Sequence, residues 1–255
     1  VENSDSFAQK MIDIDEDALT KTRKLLDQAI VQAYYAVKSD RRPPDRTYTR
    51  WVWRLAGAYH LSCHTSRLME KAAENFSALG RENLAQWAAQ KAREEAGHEQ
   101  IALLDIQSMG YDAEAVVQAL IPSTTKHYVN YFTQVVEAAN PIGCIGLCYA
   151  TERLGTFVGK EYIQKVEALL SPGINATRWL RLHSSLGSEV NHVDDIIRVV
   201  AQLNREECIR VARACYETAL LRFMPPKGDY ISDEELQGIL NPLKLSTPLQ
   251  AKSAC

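Results

Sequence analysis

An all-helical bundle is the fold class that the sequence predicts, and three observations carry that prediction. The 9 prolines and 12 glycines of the 255 residues gather at a few places. Between them the chain runs in Ala, Leu, Glu, Gln, Lys and Arg, all strong helix formers. The breaks themselves carry cap and turn chemistry, so no strand is needed to account for any segment.

The elements follow in order. A first helix is predicted over 16–38, ending before the basic, proline-containing loop 39–46. A second begins near Thr47 and runs to Leu79, where Gly80 stops it. The third spans 82–109 and ends at Gly110; its very short link to the second makes the two antiparallel neighbours. After an irregular stretch at 122–125, a helix covers 127–138. Asn140 as N-cap and Pro141 in the first turn open a helix that reaches Leu170. Ser171-Pro172-Gly173 then reverses the chain into a helix over 176–203, a second antiparallel hairpin. The segment 206–221 reads as helical. The tail from Pro225 carries one short helix, with Ser232 and Glu235 spaced as a capping box. The expected organisation is one bundle domain over 1–224, its first fifteen residues flexible, followed by the tail 225–255.

Charge and hydropathy narrow the function. Twenty-nine basic against 32 acidic residues leave a net charge of -3, without the concentrated basic footprint of a nucleic-acid binder. The longest uncharged run, Ala138 to Thr151, is shorter than the roughly 20 apolar residues that span a bilayer. Residues 1–15 are mostly polar and acidic, unlike a secretory signal. The six cysteines form no CxxC pair, and most sit on apolar helical faces. Together these predict a cytoplasmic protein with reduced thiols and a small-molecule partner, engaging neither nucleic acid nor membrane. Cys144 and Cys148, four apart, read as helix packing rather than as metal ligands.

Two segments share the pattern Glu-x-x-His: Glu95 to His98 and Glu189 to His192. Residues three apart on a helix project from one face, so each pair can offer a carboxylate oxygen and an imidazole nitrogen to one metal. A single such pair is more often a surface contact. The hairpins strengthen the reading, because residues equally far from an antiparallel turn lie at one level. Glu152 and His192 stand equally far on either side of Pro172, and Glu152 lies in an apolar run where an unpaired carboxylate is costly. Around Gly80, Glu95 and His98 face the level of Cys63 and His64, with His60 one turn away. Three carboxylates and two imidazoles form a mixed oxygen and nitrogen set suited to iron or manganese. A ferritin-like inventory has one more Glu. His64 or Glu94 completes the set here, with Asp195, one turn beyond His192, as a further candidate.

The stretch Glu94-Glu95-Ala96-Gly97-His98, the helix end at Met109-Gly110-Tyr111-Asp112, and the order Glu152 then Glu189-x-x-His192 resemble the haem-oxygenase-like di-iron oxidases and oxygenases, including the CADD-like proteins. The resemblance covers roughly 47–221. It implies a bundle of about seven helices, related to the thiaminase-type (TenA and PqqC) fold, with a possible homodimer by analogy of fold. It also implies two Fe2+ ions, the second more weakly held, with O2 as co-substrate in oxidation of a small metabolite such as an amino acid or fatty acid. N-oxygenation, desaturation and carbon–carbon cleavage are the implied reactions. Carried over, Glu95, His98, Glu152, Glu189 and His192 are the metal ligands. The sequence departs from the family seven residues before His192, where many members have histidine and this chain has Ser185; on a continuous helix His183 points elsewhere. That departure motivates one alternative, a metal-free enzyme on the same fold; a non-enzymatic helical binding protein is another. Tyr128, Tyr131, Tyr149 and Trp179 are candidates for either cavity lining or core.

Overall fold

A computed structural model describes residues 15–37, 44–187 and 189–246; the side chains of 189 and 190 fall outside the described set. The expected flexible N-terminus therefore lies outside it apart from residue 15, as do Cys255 and most of the loop 39–46.

Helix α1 (Glu16–Ala36) leads to the long α2 (Tyr48–Ala78), which Thr47 caps by accepting from the Arg50 N–H at 3.1 Å. Gly80 turns the chain at φ 69° into α3 (Glu82–Glu95), which packs back along α2. The expected helix 82–109 is two helices. Ala96 is extended (φ -64°, ψ 126°) and Gly97 is left-handed at φ 87°, so α4 (His98–Ser108) starts afresh. A short α5 (Ala113–Ala119), which the sequence reading did not assign, precedes α6 (Ser123–Glu137). Asp229 in the tail caps α6 from a distance, accepting from the Ser123 N–H at 2.6 Å and the Thr124 N–H at 2.8 Å.

The expected helix 140–170 also divides, into α7 (Gly143–Gly155) and α8 (Lys160–Glu167). The one expected over 176–203 divides into α9 (Arg178–Leu182) and α10 (Glu189–Ala201). Helix α11 (Arg205–Phe223) opens with a capping box between Asn204 and Glu207. In the tail, α12 (Asp233–Leu240) carries the predicted box between Ser232 and Glu235. The bundle thus has more segments than the seven expected, and no strand occurs among the described residues. No described helix is long and apolar enough to cross a membrane.

Two apolar clusters organise the interior, and α2 runs through both. Its first turns place Trp51, Val52 and Leu55 with Ile106, Val116, Ile163, Leu180 and the tail residues Leu236 and Leu240. Its last turns place Met69, Ala72 and Phe76 with Leu26, Trp87, Phe132, Ile145, Ile196 and Val211. The middle of α2 lies at the seam between them.

Helix α7 reaches its place by close backbone approach. A Cβ on Gly146 would stand 2.0 Å from the Val211 carbonyl oxygen of α11. Replacing Gly146 by Ala is expected to push α7 away from α11 and cost about 3 kcal/mol of overpacking, measured as a lowered denaturation midpoint with an unchanged m-value.

Candidate metal centre

Glu95 is the last residue of α3 and His98 the first of α4, so the Glu-x-x-His pair straddles a helix break rather than sharing one helix face. The turn at Gly97 still brings the two side chains together, with His98 Nδ1 3.1 Å from Glu95 Oε2. His183 completes a trio. Donor atoms of Glu95, His98 and His183 all lie within 4.8 Å of one another, the one such cluster among the described residues. The His98 and His183 rings meet edge to face at 4.9 Å. Burial would raise the pKa of the Glu95 carboxyl, yet the hydrogen bond to His98 and the charges of His183, His98 and Lys91 hold it below the ordinary value of 4.5.

His183 was set aside in the sequence because a continuous helix turns it away. The helix in fact stops after Leu182, and His183 is the C-cap of α9 at φ -93°, ψ 48°. A fully buried carboxylate on α4 holds α9 in place. Asp105 accepts from Arg178 Nη1 at 2.9 Å and from the Trp179 N–H at 3.0 Å. Trp179 then stacks obliquely on His183 at 4.5 Å and donates its indole N–H to Ser62 Oγ at 3.1 Å.

A second cluster adjoins the first. Glu94 points away from Glu95, and its Oε2 lies 3.0 Å from Lys91 Nζ and 3.6 Å from His192 Nε2. Glu152 Oε1 lies 3.2 Å from the same ammonium. Helices α7 and α10 pack together, so Glu152 and His192 reach this cluster from facing elements, in keeping with their equal distance from Pro172. Burial would lower the Lys91 pKa, but Glu152 and Glu94 outweigh it and push it up to about 12. Asp195 stands within electrostatic reach of Lys91, Glu94 and His192, its carboxyl raised by burial. Glu189 is the first residue of α10, and its side chain lies outside the described residues.

The candidates on α2 lie elsewhere. His64 Nδ1 bonds the His60 carbonyl at 2.7 Å, and His60 Nε2 bonds the Val117 carbonyl at 2.7 Å, so both imidazoles are tied to backbone. The signals that the sequence reading passed over are His183, Lys91 and two arginines.

Those arginines, Arg54 and Arg222, line a cavity of about 100 Å³ at the seam of the two clusters. Lys91, Glu95, Glu152, Trp179 and His183 line it too, against an apolar wall that includes Leu61, Met69, Phe132, Leu147 and Leu180. Tyr128 lines it as well, its hydroxyl 2.6 Å from Thr151 Oγ1. Tyr131 and Tyr149 instead donate to Glu217 at 2.7 Å and Asp27 at 2.8 Å.

The trio of Glu95, His98 and His183 suits iron. One carboxylate and two imidazoles on a half-buried surface are the donor set that non-haem Fe(II) centres use, with positions left open for other ligands. Replacing Asp105 by Ala is expected to free α9, lower stability by roughly 3 kcal/mol and weaken metal affinity about 10- to 100-fold. Denaturant unfolding and metal titration measure the two effects.

The comparisons with known proteins agree with this chemistry. A family model for iron-containing redox enzymes matches residues 52–223. A structure from Shewanella denitrificans, a domain of unknown function with a haem-oxygenase-like fold, is 17% identical; the similarity covers 88% of this chain and 89% of that one, with a TM-score of 0.60. A TenA homologue from Pyrococcus furiosus is 15% identical over 86% of this chain and 97% of its own, with a TM-score of 0.53. No curated protein matches significantly. At these identities the two structures speak for the fold, and the family match covers most of the sequence: the chain belongs to the iron-containing redox enzymes, on a haem-oxygenase-like fold.

Proposed function

We propose that this protein is a non-haem iron oxidase or oxygenase that uses O2 to oxidise a small metabolite in the cavity between the two apolar clusters. The observation that carries the reading is the cluster of Glu95, His98 and His183, of which Glu95 and His183 line that cavity. These three side chains would hold an iron, which supplies O2 activation and one-electron chemistry that side chains alone lack. Glu94, Glu152 and His192 gather at the neighbouring position, where a second iron was expected.

The chain's own residues bind and orient. The apolar wall excludes water and accepts the hydrocarbon part of a substrate. Arg54 and Arg222 supply two guanidiniums at the same cavity, and neither has an ion-pair partner among the described residues. They suit the carboxylate of an amino acid or fatty acid. A cavity of about 100 Å³ admits a substrate portion of roughly seven to ten non-hydrogen atoms, counting about 10–15 Å³ for each water-sized group. Trp179 and Tyr128 line the same cavity.

Anaerobic loading with Fe(II), followed by metal analysis and O2-uptake measurements with small carboxylates, tests the proposal. Retained iron and substrate-dependent O2 consumption are expected, with iron affinity falling at least about 100-fold in His98→Ala and in His183→Ala. A wild-type chain that retains no iron, or activity undiminished in both variants, would overturn it in favour of a metal-free enzyme. Arg222→Ala is expected to raise KM for a carboxylate substrate about 10- to 100-fold with kcat little changed, the loss of one charge-assisted hydrogen bond. Steady-state kinetics on the acid and its neutral amide checks this, since the amide should be insensitive to the substitution.

A further inference from the structure

Lys91 stands between two carboxylates that a second metal would need. The residue is only 4 % exposed, and its Nζ bridges Glu94 Oε2 at 3.0 Å and Glu152 Oε1 at 3.2 Å. His192 Nε2 approaches the same Glu94 oxygen at 3.6 Å. Two of the expected metal ligands, Glu152 and His192, and the further candidate Glu94 are therefore already gathered round a cation, and the chain itself supplies that cation.

We propose that Lys91 is a built-in replacement for the second iron, so that the enzyme works with a single iron held by Glu95, His98 and His183. The inference rests on the iron reading above. Three considerations support it. A buried carboxylate needs a counter-charge, and the ammonium provides one to Glu152, and to the half-buried Glu94, without any metal. A dication bonded to those two oxygens would be forced close to the ammonium in a low-polarity interior, where like charges repel strongly. The remaining trio is in itself a complete one-iron donor set, two imidazoles and one carboxylate, and needs nothing from the second cluster.

The position of Lys91 in the sequence makes the device local. It precedes Glu94 by three residues on α3, so the two side chains meet on one helix face, while Glu152 comes from α7. The next residue after Glu94 turns to the iron trio. One helix end thereby provides both a metal ligand and the cation that closes the neighbouring position to metal.

The test counts iron. Wild-type protein reconstituted anaerobically with excess Fe(II) and then desalted should retain about one iron per chain, and nitric oxide should convert it to a mononuclear high-spin ferrous nitrosyl with its EPR signal at about one spin per chain. Lys91→Met removes the charge and keeps an apolar stem; it should retain about two irons per chain, which after exposure to air give a coupled diferric Mössbauer spectrum. Two irons in the wild type, with a coupled spectrum, would overturn the role of Lys91 and leave the iron reading intact. No iron in the wild type would overturn the iron reading, and this inference with it. A folded Lys91→Met that still retains a single iron would also overturn it. If circular dichroism shows that variant to be unfolded, the stoichiometry and nitrosyl spectrum of the wild type decide the matter.

Discussion

The site depends on a carboxylate that lies behind it. Asp105 has no exposed surface, and its two oxygens are divided between the Arg178 guanidinium and the Trp179 backbone N–H. Helix α9 has five residues, too few to persist unaided, since forming a first turn fixes several residues for one hydrogen bond. The Asp105 bonds at its first turn, and Leu180 packed in the core, substitute for length. With α9 so placed, Trp179 lies against His183 and His183 lies against His98. Remove the carboxylate, and the third donor has no fixed direction.

Consecutive residues then divide the charge. Glu94 and Glu95 are about 100° apart around α3, and the separation sends Glu95 toward His98 and His183 while Glu94 meets Lys91 and His192. The helix ends at that very point, because Gly97 takes a left-handed conformation, and the break lets His98 turn back toward Glu95. Both clusters sit at the seam between two apolar cores, so each charge must find its partner locally. One side leaves a half-buried set of metal donors, and the other closes on an ammonium.

The long hairpin of α2 and α3 was legible in the sequence because Gly80 marks a sharp stop between two strongly helical runs, and the tail helix because Ser232 and Glu235 form its capping box. The equal spacing of Glu152 and His192 about Pro172 likewise anticipated that they would approach a common place. The breaks inside helices were not legible. A glycine within a helix costs only about 1 kcal/mol relative to alanine, so Gly97 in the sequence is compatible with helix and with break alike. His183 was lost for the same reason: its direction was reckoned on an unbroken helix, and the chain stops being helical after Leu182. Lys91 stands three residues from Glu94, a spacing common on exposed helix faces; only Glu152, sixty-one positions later and brought in by α7, draws the ammonium into the interior.

The polarity of the cavity constrains how a substrate lies in it. Glu95 and Glu152 line the cavity together with Lys91, whose ammonium offsets the charge of Glu152. Arg54 and Arg222 line the same cavity without acidic partners, and Tyr128 stands within electrostatic reach of both Arg222 and Glu95. On the proposed reading, a substrate carboxylate gains most from the two arginines, whose charge no acidic side chain among the described residues takes up. An α-ammonium beside that carboxylate would face two guanidiniums, an arrangement that favours a simple acid over an α-amino acid.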